Sequence, residues 1–335
     1  MKTVKSLLTI LLLCFTPAAG FAAPQEIREV HYQMGTFLEL TLWHSEAHAA
    51  KQIIREAVQE VHRLEEILSN FDADSAVSRF NQKAGKGRTR LPVDLYNLLR
   101  MARGYGAVTG GYFDVTVGPL VELWRETLSV GHLPDRETLT HARRKVSFEK
   151  LKLYDGGEAE LLLPGMKIDL GGIGKGYAVD RIAERFKAAG VSSALINFGG
   201  SSIYGVGVPP GEKGWEVGIQ GTDGRLRGVM RLRDAALSTS SSMGHSWTVG
   251  GKRYGHLIDP KNGIPVTELR MATVIAPSAT VAEALTKPLI VIGGNALPMA
   301  ERLPKTEAVV ISEQGPVIFS NGFRSKAAWR EVPAS

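Results

Sequence analysis

Cysteine is all but missing from this chain: Cys14 is the single one among 335 residues, and it lies in an apolar N-terminal stretch. No disulfide can brace the rest of the chain, and an oxidising compartment would pose no pairing problem. Long hydrophobic runs are missing too, since the apolar stretch Ser6 to Phe15 is too short to span a bilayer. Charge of one sign is not concentrated: 40 Lys and Arg oppose 34 Asp and Glu, for a net +6. The basic residues are dispersed, with no aromatic-interleaved stripe, which argues against nucleic acid as a partner and leaves a mild bias toward anionic ligands. There is no internal repeat. What is present is 44% hydrophobic and 22% charged residues. That is enough for a large core in one elaborated domain or two intimately packed lobes, and too apolar for a disordered chain.

Residues 1–22 read as a secretory signal. Lys2 and Lys5 make a basic start, Ser6 to Phe15 an apolar stretch, and Gly20 and Ala22 are small residues suited to cleavage. Leu13 is too bulky for a good lipoprotein site before Cys14. The expectation is an exported, periplasmic protein whose folded domain is 23–335. If the signal were retained, it would act as an inner-membrane anchor. Removing Lys2 and Lys5 takes the net charge from +6 to +4.

Along the chain, Glu29 to Leu42 alternates like a strand, and Ala47 to Leu68 carries Ile54, Val58, Val61, Leu64 and Leu68 at helical spacing. A turn-rich break with Phe71 and Phe80 follows. A second helix is expected over Asp94 to Val108, stopped by Gly110 and Gly111, and a polar surface excursion over Leu133 to Val146. The segment Lys167 to Leu170, the helix Tyr177 to Ala189 ending at Gly190, and Ala194 to Phe198 read as strand, helix, strand. Short strands dominate Trp215 to Val249, with turns at Thr222 to Gly224 and at Gly250-Gly251. The last third reads as strand Met271 to Ile275, helix Thr280 to Lys287, strand Leu289 to Ile292, then a helix and a strand pair. The class is α+β, with no flexible linker.

The densest chemical signal is DLGGIGKGYAVD, Asp169 to Asp180. A carboxylate, closely spaced glycines and a lysine directly before a helix are how a backbone is bent around a phosphate-bearing ligand. Gly176 follows Lys175, so the phosphate loop GxxxxGK[ST] fails, and the spacing of Gly172, Gly174 and Gly176 is not GxGxxG. Nucleotide-binding P-loop and Rossmann readings both weaken. The segment can also be no more than a tight strand-to-helix connection. Elsewhere, His44 and His48 in HSEAH lie four apart, the spacing of a zinc pair, but Glu46 is one residue late for HExxH and the segment opens a solvated helix.

Together with INFGG (Ile196 to Gly200) and YGHLIDPKNGIP (Tyr254 to Pro265), the glycine segment resembles the ApbE family, the FAD:protein FMN transferases, over about Met34 to Gly293. The resemblance implies an ApbE-like α+β fold of two intimately packed lobes of mixed β-sheet with flanking helices. It implies FAD contacts from Met34 in MGTF, Phe71, Tyr112, Phe113 and Asp114 in GGYFDVTVGPLVELW, Asp169, Lys175 and Ile258. At Phe71 a Tyr is frequent in the family, so stacking is kept and the hydroxyl lost. Without the family, Phe71, Tyr112 and Phe113 read as ordinary core aromatics. His256 and Asp259, in HLIDP, become the proton-transfer candidates, because an acceptor hydroxyl needs a base at neutral pH. Ser238, Thr239 and Ser240 match a hydroxyl-rich strand end near the site, or are simply strand-terminal hydroxyls.

The resemblance further implies a Mg²⁺ site using the Gly172 carbonyl, an acidic residue and, four residues on, a threonine. Here those last two positions are Glu283 and Lys287, with Thr286 as a neighbouring hydroxyl. A protonated lysine offers no lone pair, so the usual site is altered. Two readings stay open. In one, Thr280 is an N-cap with Glu283 as capping-box partner, and Glu283 with Lys287 is a favourable pair on a short helix disturbed by Pro288. In the other, the Lys287 ammonium lies where the cation would and neutralises a pyrophosphate. The implied activity is cleavage of FAD, release of AMP and attachment of FMN to a Ser or Thr of an acceptor flavoprotein, such as an electron-transfer subunit. The alternatives are a FAD-binding paralogue without transfer and a FAD pyrophosphatase.

Overall fold

The computed structural model describes residues 23–313 and 315–332, so the expected signal segment, Cys14 included, lies outside the described residues. Eight strands form the central sheet: β1 (Gln25–Gln33), β2 (Thr36–His44), β3 (Ser193–Phe198), β4 (Ser202–Gly207), β5 (Ala235–Ser241), β6 (Arg270–Ala276), β7 (Glu307–Ser312) and β8 (Ile318–Phe319). They lie side by side in chain order, each antiparallel to the next. Parallel pairing is confined, among the described residues, to an isolated bridge between Val117 and Lys167.

Strand periodicity explains the layers, because successive side chains point to opposite faces. On β6, Ala272, Val274 and Ala276 join the apolar cluster under a helix, while Met271 and Ile275 pack on the other side. On β7, Ala308 and Val310 take the first side and Val309 and Ile311 the second. The helical side holds α1 (Ala47–Leu68), α2 (Val93–Val108), α4 (Gly174–Ala188) and α5 (Ala279–Ile292); α3 (Gly118–Val130) sits over the cavity described below. The opposite face is covered by a three-stranded sheet of Trp215–Gln220, Leu226–Leu232 and Arg330–Glu331. The α+β class with flanking helices is the one expected from sequence.

Several local expectations are corrected. The strand read over Glu29 to Leu42 is a hairpin, since Met34 (φ 46°) and Gly35 (φ 75°) form a two-residue turn of the kind that matches strand twist. Lys167 to Leu170 is not a ladder strand: the side-chain amides of Asn70 and Asn81 satisfy the backbone of Ile168 and Leu170 at 2.7 to 3.0 Å instead. Leu289 to Ile292 is helical, because α5 runs through Pro288. Arg270 donates to the Ile290 and Val291 carbonyls at 2.9 and 3.0 Å, satisfying the end of that helix. The excursion after Leu133 contains a helix, Arg136–Arg143. His44 ends β2 and His48 lies in α1, so the two imidazoles do not share a helix face.

Candidate functional site

The turn Gly171 to Ile173 delivers the chain into α4, and the N–H of Gly176 in the first turn of that helix donates to Glu283 Oε2 at 2.5 Å. A carboxylate there complements the positive helix end. The close approach needs glycine: a Cβ at Gly176 would lie 2.5 Å from the Ala279 carbonyl oxygen and 2.8 Å from Glu283. The capping-box expectation is thereby corrected. Ser278, not Thr280, is the N-cap of α5, and Asp180 of α4 accepts from Ser278 Oγ (2.6 Å), Ala279 N (2.7 Å) and Thr280 N (2.9 Å). Glu283, turned toward α4, forms no ion pair with Lys287 within hydrogen-bonding reach among the described residues.

These helices border a cavity of about 820 Å³, within the usual range for a small-molecule site. Its wall includes Phe71, Tyr112, Phe113, Asp114, Asp169, Gly172, Lys175, Ser238, Thr239, Ser240, His256, Ile258, Glu283 and Lys287. Gly199 and Gly200 of INFGG line it too, so the structure brings together residues from seven separate stretches that sequence reading had singled out. Three candidates lie off the wall. Met34 sits in the β1–β2 turn, where its N–H donates to Glu65 Oε2 at 3.2 Å, and packs on the main core. Asp259 Oδ1 accepts from Lys261 N at 2.8 Å and its carbonyl from Gly263 N at 2.8 Å, so Asp259 ties its own turn. Thr286 is fully buried, its hydroxyl donating to the Glu283 carbonyl at 2.7 Å.

The floor is cationic and hydroxyl-rich. Lys175 Nζ donates to Ser201 Oγ at 2.7 Å, beside Gly199 and Gly200, which both take positive φ. Lys287 Nζ reaches Thr286 Oγ1 at 3.2 Å and Ser240 Oγ at 3.4 Å, and its stem lies across Gly172, where a Cβ would sit 3.1 Å from Lys287 Cε. Burial pushes the Lys287 ammonium down to about 8, with Glu283 opposing and Lys175 adding to the shift. It stays mostly protonated at neutral pH.

His256 lines the wall beside His245, the rings edge to face at 5.8 Å. Its Nδ1 lies 3.2 Å from the His245 carbonyl, which can only accept, so Nδ1 carries the proton and Nε2 keeps a basic lone pair. Desolvation by the concave wall, with the nearby His245 and Lys287, holds the imidazole below its ordinary value. The loop bearing it is docked by Trp124 of α3, whose Nε1 donates to the Gly263 carbonyl at 2.7 Å and whose ring meets Tyr254 at 5.4 Å.

Two carboxylates differ in their freedom. Burial raises both Asp114 and Asp169 above the usual carboxylate range. Asp114 is committed to Thr116 N (2.8 Å), Thr116 Oγ1 (2.7 Å) and Phe148 N (2.7 Å), whereas Asp169 accepts from Gly171 N (2.8 Å) through Oδ1. Phe71 is 89% exposed at the mouth, with the Arg125 guanidinium 5.7 Å from its ring. Lys261 Nζ lies 4.0 Å over the Tyr112 ring. Sequence reasoning missed Arg125, Ser201 and His245. Ser201 follows INFGG directly and could have been found there; Arg125 and His245 carry no motif signal.

The implied Mg²⁺ does not fit this donor set. Mg²⁺ demands a compact octahedron of oxygens, usually including carboxylates and waters. Glu283 is engaged with a backbone N–H, Thr286 is buried, and an ammonium stands 3.2 Å from the Thr286 oxygen, where it would repel a dication. Among the described residues, no group of three or more His, Cys, Asp or Glu side chains is placed to hold a metal.

Known proteins share both sequence and shape with this chain. It is 28% identical to the FAD:protein FMN transferase of Klebsiella pneumoniae (strain 342) over 298 residues, 85% of this chain and 81% of that protein. To the protein of the same name from Salmonella typhimurium it is 30% identical over 272 residues, 78% of this chain and 77% of the other. The crystal structure of the ApbE protein of Thermotoga maritima superposes with TM-score 0.82 at 25% identity, covering 90% of this chain and 99% of that one. The apo flavinyl transferase ApbE of Pseudomonas stutzeri gives 0.80 at 25%, over 91% and 98%. The sequence profile of the ApbE family matches residues 34–310, and the chain belongs to that family.

Proposed function

We propose that this chain is a FAD:protein FMN transferase, which cleaves the FAD diphosphate and attaches FMN to a Ser or Thr of a target flavoprotein. The observation that carries the reading is one cavity holding two ammoniums, two glycine turns and an imidazole with a free lone pair. In the reaction, the acceptor oxygen bonds to the FMN-side phosphorus. The bond from that phosphorus to the bridging oxygen breaks, and AMP leaves with that oxygen. The hydroxyl proton passes to Nε2 of His256. Apolar wall residues such as Val117, Val121 and Trp124 suit the flavin, while Lys175 and Lys287 suit the diphosphate. We take the acceptor to be an exported electron-transfer subunit, in keeping with the signal-like residues 1–22.

The test is to incubate the protein with FAD and an acceptor domain carrying a candidate Ser or Thr, then read the intact mass of the acceptor. Transfer adds FMN less one water and releases AMP in equal amount. A second reading, FAD held or hydrolysed without transfer, is favoured by Lys287 standing where the family resemblance implies a ligand. The same incubation separates the cases: FMN and AMP free in solution mean hydrolysis, and FAD recovered whole means carriage.

A further inference from the structure

Lys175 and Lys287 approach the cavity floor from different helices, and among the described residues neither is ion-paired with a carboxylate. Each ammonium meets only hydroxyls, Ser201 for Lys175 and Thr286 with Ser240 for Lys287. One carboxylate, that of Glu283, attracts Lys287 through space without bonding to it, and its Oε2 accepts from the Gly176 N–H. The Lys175 ammonium also disfavours the charge of Lys287. Two wall cations with one carboxylate acting on them leave charge uncompensated, which is costly unless a ligand supplies the balance. Two such cations call for an anion with two charges a few ångströms apart, which is what a diphosphate diester offers.

The position of Lys287 carries a second consequence. Its stem covers Gly172 and its ammonium fills the space next to Thr286 and Ser240, where its charge would repel a dication. We propose that Lys175 and Lys287 clamp the substrate diphosphate between them, and that Lys287 supplies the charge a divalent cation would otherwise bring, so that substrate binding is metal-independent. The inference rests on the reading of the cavity as a FAD site. The clamp grips the ligand through its phosphates and leaves the flavin ring to the apolar wall.

The experiment measures affinity for FAD and for riboflavin by flavin fluorescence, in EDTA and in millimolar Mg²⁺, for the wild-type chain and for Lys287→Met, which keeps an unbranched side chain one atom shorter and removes its charge. The wild type is expected to bind FAD equally in both buffers and more tightly than riboflavin. Lys287→Met is expected to lose about tenfold to a hundredfold in FAD affinity, the scale of a charge-assisted contact, and to bind riboflavin as the wild type does. A wild type whose FAD affinity collapses in EDTA and returns with Mg²⁺ overturns the proposal and leaves the FAD reading standing, as does a Lys287→Met protein with wild-type FAD affinity. A wild type that prefers FAD over riboflavin in neither buffer overturns the FAD reading itself, and the clamp with it.

Discussion

The N–H at Nδ1 of His256 is committed to the His245 carbonyl 3.2 Å away, which leaves Nε2 as the only nitrogen of that ring able to take a proton. Desolvation first, then the fields of His245 and Lys287, keep the pKa under the ordinary 6.5, so the base form dominates at neutral pH. The sign follows: a base must be unprotonated, so the transfer rate should fall as pH drops through a value below 6.5 and be level above it until pH approaches about 8, where Lys287 begins to lose its charge, read from acceptor mass against time. His256→Asn should bind FAD as before and transfer about 100-fold or more slowly. A mutant that transfers at the wild-type rate would make His256 a structural residue. At this scale the sequence showed residue types but not their commitments. Asp169, Lys175 and His256 stand out among glycines and turns, and all three line the cavity. Nothing in HLIDP says that Asp259 spends its carboxylate on Lys261 N, or that a histidine eleven positions upstream fixes the tautomer.

Between elements, the scaffold under the cavity is held by a charged cluster joining α1, α2 and α4. Glu60, 3% exposed, accepts from Arg63 at 2.7 Å and from Arg185 at 2.8 Å, while Asp94 accepts from Arg63 and from the Tyr177 hydroxyl, each at 2.7 Å. The hydrogen bond from Arg63 leads the causes that lower the Glu60 carboxyl from 4.5 to about 2, outweighing its burial. A depressed carboxylate contributes stability that is complete above its unfolded value, so this share should be lost as pH falls from about 4.5 through about 2. Glu60→Gln should cost roughly 2 kcal/mol in denaturant unfolding at pH 7, less than for a fully buried pair because both arginines are partly exposed. It should also flatten the acid limb of the stability profile. An unchanged acid limb would place the loss elsewhere. Elements with long periodic stripes were legible: α1 runs over the residues that its apolar spacing marked. The failures have local causes. A turn of Met34 and Gly35 lacks the usual Asn-Gly signal, and Leu289 to Ile292 is too short an apolar run to tell strand from helix once Pro288 precedes it.

Across the whole molecule, the cavity wall is assembled from Phe71 near the end of α1, Tyr112 to Asp114 ahead of α3, the turn into α4, the β3–β4 connection, the end of β5, the His256 loop and α5. No window of sequence contains that surface, which is why spacing alone could not reveal it and why the resemblance had to point to its parts. The same assembly makes the ligand a brace. FAD bound to the folded chain and not to the unfolded one should stabilise it by about 2.7 kcal/mol at a hundredfold excess over Kd. Riboflavin at the same concentration should stabilise less, because it lacks the diphosphate that the two lysines would grip. Lys175→Ala should weaken FAD binding by roughly 1.5 to 3 kcal/mol, the scale of a charge-assisted hydrogen bond, and so shrink the thermal shift given by FAD while leaving that given by riboflavin. Thermal unfolding of wild type and mutant with each ligand reads all four values. Equal shifts for FAD and riboflavin in the wild type would mean that the cationic floor does not hold the diphosphate, and that the flavin ring alone brings the separate stretches of the wall together.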